Sequence, residues 1–379
     1  MARKPKPPVK AKDMQGLKYL QVFWKAIEPL ADVPEHGNRL YQMYQHVSLL
    51  LLHFFNPVLD SLRALQQATG LGNVQKAVGV RRTSLGSMSE SAGKVFDPEL
   101  MLPILEQTAA MIPAVPKGSP LDGLSLLPVA QDGSFLRCLP KMVWALFRRK
   151  SANRGVKLHL QLDVRRGIPI AWEVTKATAS EKKVLRQWLK AGFLYLVDRG
   201  YIDYSLYQDI HDAGSFFVAR LKDNSTFEVL RDRPLTKAEK DAGVVADQEV
   251  RMGSAFTEGD LTAPVRRIVI RGEDGREVVL LTNLELPAEM VGLLYRYRWQ
   301  VELFFRWFKC ILRCVHWLSQ TPTGLTLQVY VAILASLLVS LLTDSKPTKS
   351  TYRMIQLYLQ GWATEEEFRE YLASHKVNR

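Results

Sequence analysis

Between Tyr295 and Lys309 the chain carries its densest set of residues able to do chemistry. At about 100° per helical residue, Tyr295, Arg298, Glu302 and Lys309 fall within an arc of roughly 60°, with Arg306 beside them. Leu294, Tyr297, Val301, Phe304, Phe305, Phe308 and Leu312 gather on an adjoining apolar face. One stripe therefore buries the helix, while the other displays a single carboxylate ringed by cations and a phenol. Arg298 and Arg306 each stand four residues from Glu302, so an exposed ladder of i,i+4 ion pairs is the plain alternative. Such ladders rarely put a Tyr, two Arg, a Glu and a Lys in one row. A phosphodiester backbone suits the set better: the acid holds a metal, the cations hold phosphates, and the ring stacks or hydrogen-bonds.

Other elements must position that helix and supply further acids. Leu127 to Asp132 reads as a strand, and Lys157 to Asp163 alternates well. Arg165 to Gly167 turns the chain into Ile168 to Thr175, which makes a hairpin. Ser180 opens a helix running to about Lys190. Phe193 to Val197 is a short buried strand ending at Asp198; a helix from Tyr204 to Asp212 and a strand from Ser215 to Leu221 follow. This order predicts an α/β unit, a mixed sheet flanked by helices, in which polar residues at strand ends carry the chemistry. Lys222 to Arg276 reads as an inserted β-rich unit, strand-like notably at Val265 to Arg271, before the strand Glu277 to Thr282 and a long helix from Leu286 to Leu312.

Upstream, Leu17 to Ile112 is helical in pattern, with a break at Pro57. A short helix near Gly70 to Gly79, a glycine turn, and a second helix opened by Thr83 or Ser84 fit a helix-turn-helix that would bring Arg81 and Arg82 near phosphates. An ordinary helical hairpin with a solvated basic turn fits as well. Ala114 to Pro128 is rich in Pro and Gly and marks a domain boundary.

Composition agrees with a polyanionic partner. The 379 residues include 51 Lys plus Arg against 38 Asp plus Glu, a formal charge of +13. With 47% hydrophobic residues a packed core is affordable and wholesale disorder is excluded. Met1 to Lys12 has five basic residues and three prolines but no apolar core, so it reads as a disordered arm and not a signal peptide. Val329 to Leu342 is the longest apolar run and reads as a buried core helix, too short for a membrane span. Cys138, Cys310 and Cys314 form no disulfide framework; the last two lie near His316 in an apolar stretch, where core packing outweighs zinc binding. A soluble cytoplasmic protein with no membrane association is expected.

Tyr, two residues, Arg, three residues, Glu, six residues, Lys is the signature of the IS-four family of bacterial insertion-sequence transposases, and Tyr295, Arg298, Glu302 and Lys309 match every spacing. Asp132-Gly133-Ser134 resembles the family's first-aspartate motif, and Val197 to Tyr201 its second. Leu280 to Leu284 looks like its final core strand. The resemblance covers about Val129 to Leu342, interrupted by the insertion.

The resemblance implies an RNase H-like core with Asp132, Asp198 and Glu302 as catalytic, metal-binding carboxylates. It implies Mg²⁺, with Mn²⁺ able to substitute and two ions in place. Arg298 and Lys309 would hold phosphates near a transposon end and Tyr295 one near the scissile site, with Arg306 and Arg199 adding contacts. The implied activity is cut-and-paste transposition: hydrolysis at the ends, then 3′-hydroxyl strand transfer into target DNA by a homodimer on paired inverted repeats, in the bacterial cytoplasm at the nucleoid. A nuclease without strand transfer and a silent DNA-binding relative are the alternatives. Asp163, Glu173 and Glu181 are rival carboxylates, but Asp163 precedes a turn and Glu181 lies in a first helical turn, ordinary structural positions. Relatives that cleave through a hairpin use a Trp from the insertion to hold a flipped base; residues 222–276 contain no Trp, and Phe227 and Phe256 are the aromatics available. The expected organisation is a basic arm (1–16), a helical DNA-binding domain (17–125), core (126–221), insertion (222–276), the Glu-bearing second part of the core (277–320) and a helical end (321–379).

Overall fold

The computed structural model describes residues 21–35, 37–113, 120–139, 141–145, 155–253, 260–312, 316–343, 346 and 348–377. The basic arm, Cys314 and Phe256 lie outside the described residues. Two compact units emerge: one takes in the described parts of Met1–Pro113, Leu136–Val156 and Phe305–Arg379, the other those of Ala114–Phe135 and Lys157–Phe304.

The second unit is built on a nine-stranded mixed sheet. Its strands are β1 (Leu127–Arg137), β2 (Gly155–Asp163), β3 (Ile168–Lys176), β4 (Phe193–Val197), β5 (Phe216–Arg220), β6 (Phe227–Asp232), β7 (Val244–Met252), β8 (Val265–Arg271) and β9 (Glu277–Thr282). The spatial order is β3-β2-β1-β4-β5-β9-β8-β7-β6. β1, β4 and β5 run parallel, and β9 returns antiparallel against β5. The first five strands follow the RNase H-like order, and β9 to β6 extend the sheet as an antiparallel meander.

Burial explains the sequence texture. β4 is apolar throughout because helices or neighbouring segments cover both its faces, and Leu194 to Val197 are wholly inaccessible. Tyr195, Val197, Phe217 and Ala219 share one core with Tyr201, Leu206, Tyr207 and Ile210. The helix Tyr204–Asp212 starts at Asp203, whose carboxylate accepts from Leu206 N at 3.0 Å, and Tyr207 stacks on Phe217 at 4.4 Å between centroids. The meander is tied together by a buried ion pair, Arg266 Nη2 to Asp247 Oδ2 at 2.5 Å, with Arg266 Nη1 donating to the Leu284 and Leu286 carbonyls.

The first unit is helical among its described residues. Met43–Phe55 is buried nearly all round and ends before Pro57. Gly72–Val78 stops at Gly79, whose φ of 68° suits a residue without a Cβ. Leu85–Glu90 is capped by Ser84, which accepts from Ser87 N at 3.1 Å. Pro322–Thr343 is the one described helix long and apolar enough to cross a bilayer, and 83% of its most apolar stretch is buried inside the protein. Cys310 departs from the core position expected for it and is exposed. Trp307 and Phe308 occupy the buried side of that turn and leave Cys310 facing out.

Candidate active site

Strand register brings the two aspartates level. Ala130 of β1 pairs with Leu196 of β4, so two places further along each parallel strand come Asp132 and Asp198. Val197 pairs with Ala219 of β5, which sets Arg220 beside Asp198 in the same row. Neighbouring strands lie about 4.8 Å apart, so the row concentrates charge at one end of the sheet. Asp132 is half-buried, and its carboxyl is pushed up to about 7. Loss of hydration is the main cause, and the Asp198 and Glu181 carboxylates add to it; the Gly133 N–H, donating at 2.7 Å, and the Arg298 charge oppose it. Asp198 caps a short 3₁₀ turn, Arg199–Tyr201, by accepting from Gly200 N at 2.8 Å. Arg199 points into solvent.

The helical arm supplies the rest. The long helix expected from Leu286 to Leu312 is divided into Ala288–Tyr297 and Trp299–Arg306, followed by a π-helical turn, Trp307–Ile311. At the junction Arg298 N donates to Tyr295 O and Val301 N to Arg298 O, three-residue spacings that tighten the backbone there. Arg298 Nη2 bonds Glu302 Oε1 at 2.6 Å, with side-chain exposures of 12% and 34%. Its guanidinium lies 5.6 Å from the Tyr295 ring centroid. Burial raises the Tyr295 hydroxyl's pKa, the Arg298 and Arg220 charges work against that, and Asp198 adds to it. Arg298 is thus a hub: it bonds Glu302, lies over Tyr295, and its charge acts on Asp198 and Asp132. The constant helical step used to place Lys309 ends at Arg306, because Lys309 lies on the π turn and Leu312 N reaches back five residues to Trp307 O at 3.1 Å. Arg306 and Lys309 belong to the first unit.

The donor set is carboxylate oxygen, which suits a hard divalent ion. Among the described residues no three His, Cys, Asp or Glu side chains converge as a ready-made ligand set. Asp132 and Asp198 crowd each other in a way a cation would relieve, whereas Glu302 is engaged by Arg298. Asp163 is structural, as expected: it accepts from Arg165 N at 2.9 Å and Arg166 Nε at 2.7 Å. Arg220, near the acids, escaped the sequence reading; it ends a strand adjacent to β4, a position strand order could have flagged. Glu181, set aside as a rival carboxylate, lies against Gly133. Arg81 and Arg82 are exposed in the turn between the two short helices of the first unit. Phe227, one of the two aromatics of the insertion, is packed under the Arg267 guanidinium, 4.6 Å from its centroid.

A family model described as the transposase DDE domain matches residues 128–338, more than half of the chain. The chain belongs to the DDE transposase family. Curated relatives agree. A Sinorhizobium fredii protein assigned as transposase y4zB is 35% identical over 187 residues, 48% of this chain and 52% of its own. The Geobacillus stearothermophilus protein assigned as the transposase of insertion sequence element IS5377 is 27% identical, over 54% of this chain and 53% of its own. A Synechocystis protein assigned to element IS4SA is 23% identical, over 64% and 68%. The chain thus spans about half the length of the first two of these DDE transposase relatives.

Proposed function

We propose that this DDE transposase cuts and pastes DNA: it hydrolyses phosphodiesters at the ends of an insertion sequence and joins the freed 3′-hydroxyls to target DNA, with Asp132, Asp198 and Glu302 as its catalytic carboxylates. The observation that carries the reading is Arg298, which bonds Glu302 while facing the two aspartates that strand register brings level. Divalent ions, Mg²⁺ or Mn²⁺ and two in number, would supply activation of the attacking oxygen and stabilisation of the leaving one. The protein's part is to hold the carboxylates convergent and to fix the DNA. Arg298 orients Glu302 and takes up phosphate charge as the carboxylate is drawn off. Tyr295, stacked on Arg298, presents its hydroxyl to a phosphate near the scissile bond. Arg199, Arg306 and Lys309 hold neighbouring phosphates along the strand.

Residues 17–125 act as the DNA-binding domain, with Arg81 and Arg82 on the backbone. Residues 126–221 and 277–320 form the catalytic core, 222–276 an insertion and 321–379 a helical end. The partners are double-stranded transposon ends and target DNA, held by a homodimer in a synaptic complex in the bacterial cytoplasm, at the nucleoid. The test uses DNA spanning the ends of the element that encodes the chain. Pre-cleaved ends incubated with Mg²⁺ and target plasmid should give joined products. Cleavage without any joining would leave a nuclease in place of a transposase.

A further inference from the structure

Side chains from residues 222–276 grip the chain at the point where the Glu302 arm begins. Residues 283–287 link β9 to the helix Ala288–Tyr297, and the N-cap position of that helix is Pro287, whose side chain makes no capping hydrogen bond. Glu239, on the short helix Lys237–Asp241, takes over that task. Its Oε1 accepts from Ala288 N at 3.0 Å, while its Oε2 accepts from Thr236 N at 2.8 Å. The cap is thus a carboxylate, which also suits the positive end of the helix dipole. Arg266, on β8, holds the loop itself: Nη1 donates to Leu284 O at 2.7 Å and to Leu286 O at 2.8 Å. Asp247 of β7 fixes that guanidinium from the other side, and Arg233 pairs with Glu285 at 2.8 Å. Glu239, Arg266 and Asp247 are all buried, where such bonds are stronger than in water. Further along, a Cβ on Gly292 would clash with Ile270 of β8, so the glycine is what lets the helix lie close to that strand.

We infer that residues 222–276 set the position of the Glu302 arm, with Glu239 and Arg266 as positioning residues that act through the loop and the first turn of Ala288–Tyr297. Val291 and Leu294 bury one face of the arm, but apolar burial is non-directional and leaves its tilt to be fixed by other contacts. The hydrogen bonds at its start supply that direction. At 1.5 Å per residue Glu302 lies about 21 Å from Ala288, so a tilt of ~3° moves its carboxylate by about 1 Å. A displacement of that size costs about 100-fold in rate. The inference rests on the proposed catalytic role of Glu302.

The test pairs hydrogen exchange of the full chain with cleavage of transposon ends at saturating DNA and Mg²⁺. Glu239→Ala should exchange ~5–10-fold faster across residues 288–302, the effect of losing a helix cap. It should cleave ~10–100-fold more slowly with DNA affinity unchanged. Glu239→Gln should recover part of both, because its amide oxygen still accepts from Ala288 N. Arg266→Met combined with Asp247→Leu removes the grip on the loop while filling the space of the buried pair, an exchange close to neutral for stability. It should slow cleavage to the same degree, with circular dichroism confirming the fold of each variant. Faster exchange with parental cleavage would make these contacts merely structural and overturn the inference, as would unchanged exchange in Glu239→Ala. Glu302→Ala, assayed alongside, separates the two readings. If it loses cleavage while Glu239→Ala does not, the inference alone fails; if it cleaves like the parent, the three-acid reading fails and the inference with it.

Discussion

Replacing Arg298 by Ala removes the guanidinium that bonds Glu302 and whose charge acts on Asp132 and Asp198. A hydrogen bond to a charged group contributes about 1.5–3 kcal/mol. Breaking a fully buried pair costs about 3–5 kcal/mol, but Glu302 retains 34% exposure and can be partly rehydrated, which sets the loss nearer 2 kcal/mol. Losing the guanidinium above the Tyr295 ring adds about 0.5–1 kcal/mol. The variant should therefore lose a total of about 2–3 kcal/mol of stability in urea unfolding, read as a lower midpoint with an unchanged slope. Its end-cleavage rate should fall about 100-fold, the cost of an ångström-scale misplacement of a catalytic group. Arg298→Lys should recover part of the stability and little of the rate, since an ammonium cannot bridge Glu302, the phenol and a phosphate at once. Loss of less than about 0.5 kcal/mol with an unchanged rate would mean that Arg298 is an ordinary solvated cation, as exposed pairs are, and would refute the hub.

Three other outcomes follow from particular contacts. Asp247→Ala strands the Arg266 guanidinium, only 3% exposed, and should cost about 3–5 kcal/mol in chemical denaturation. His46 and His159 are buried and held neutral, each with its pKa brought down to about 4 by burial, Lys157 adding to the effect at His159. A lowered folded value means that their contribution is complete above the unfolded value near 6.5 and is lost as pH falls toward 4. Stability measured by urea unfolding should drop by up to about 3 kcal/mol for His46 over that window, and His46→Gln should flatten the profile. Arg81→Ala combined with Arg82→Ala should lower the salt slope of DNA affinity by about 2 without changing sequence preference, as loss of two phosphate contacts requires.

The core strands were legible because burial on both faces writes itself into sequence. Leu194 to Val197 is an unbroken apolar run, and Asp198 stands at its end. The hairpin of β2 and β3 was marked by its alternation and by the turn before Ile168. The first strands of the insertion were not legible as such. β7 carries Asp247, Gln248 and Glu249, and only the partner Arg266 on the next strand explains a buried aspartate there. Glu302 and its row showed in helical spacing, but a constant step could not foresee the tightening at Arg298 or the π turn at Trp307. Glu181 was set aside because first-turn acids are common, and its approach to Gly133 depends on how the helix after β3 returns across the sheet, a long-range property. Cys310 misled for a related reason: in a helix that changes pitch, apolar neighbours in sequence do not share one face.

Mg²⁺-dependent cleavage of the element's own ends by Asp132→Ala, Asp198→Ala and Glu302→Ala, each shown to be folded, tests the central claim most directly. The account predicts that all three lose cleavage to background, and that Asp132→Ala combined with Asp198→Ala is no worse than either alone, because the carboxylates act as one unit. Metal-dependent cleavage surviving in any one of the three would contradict it.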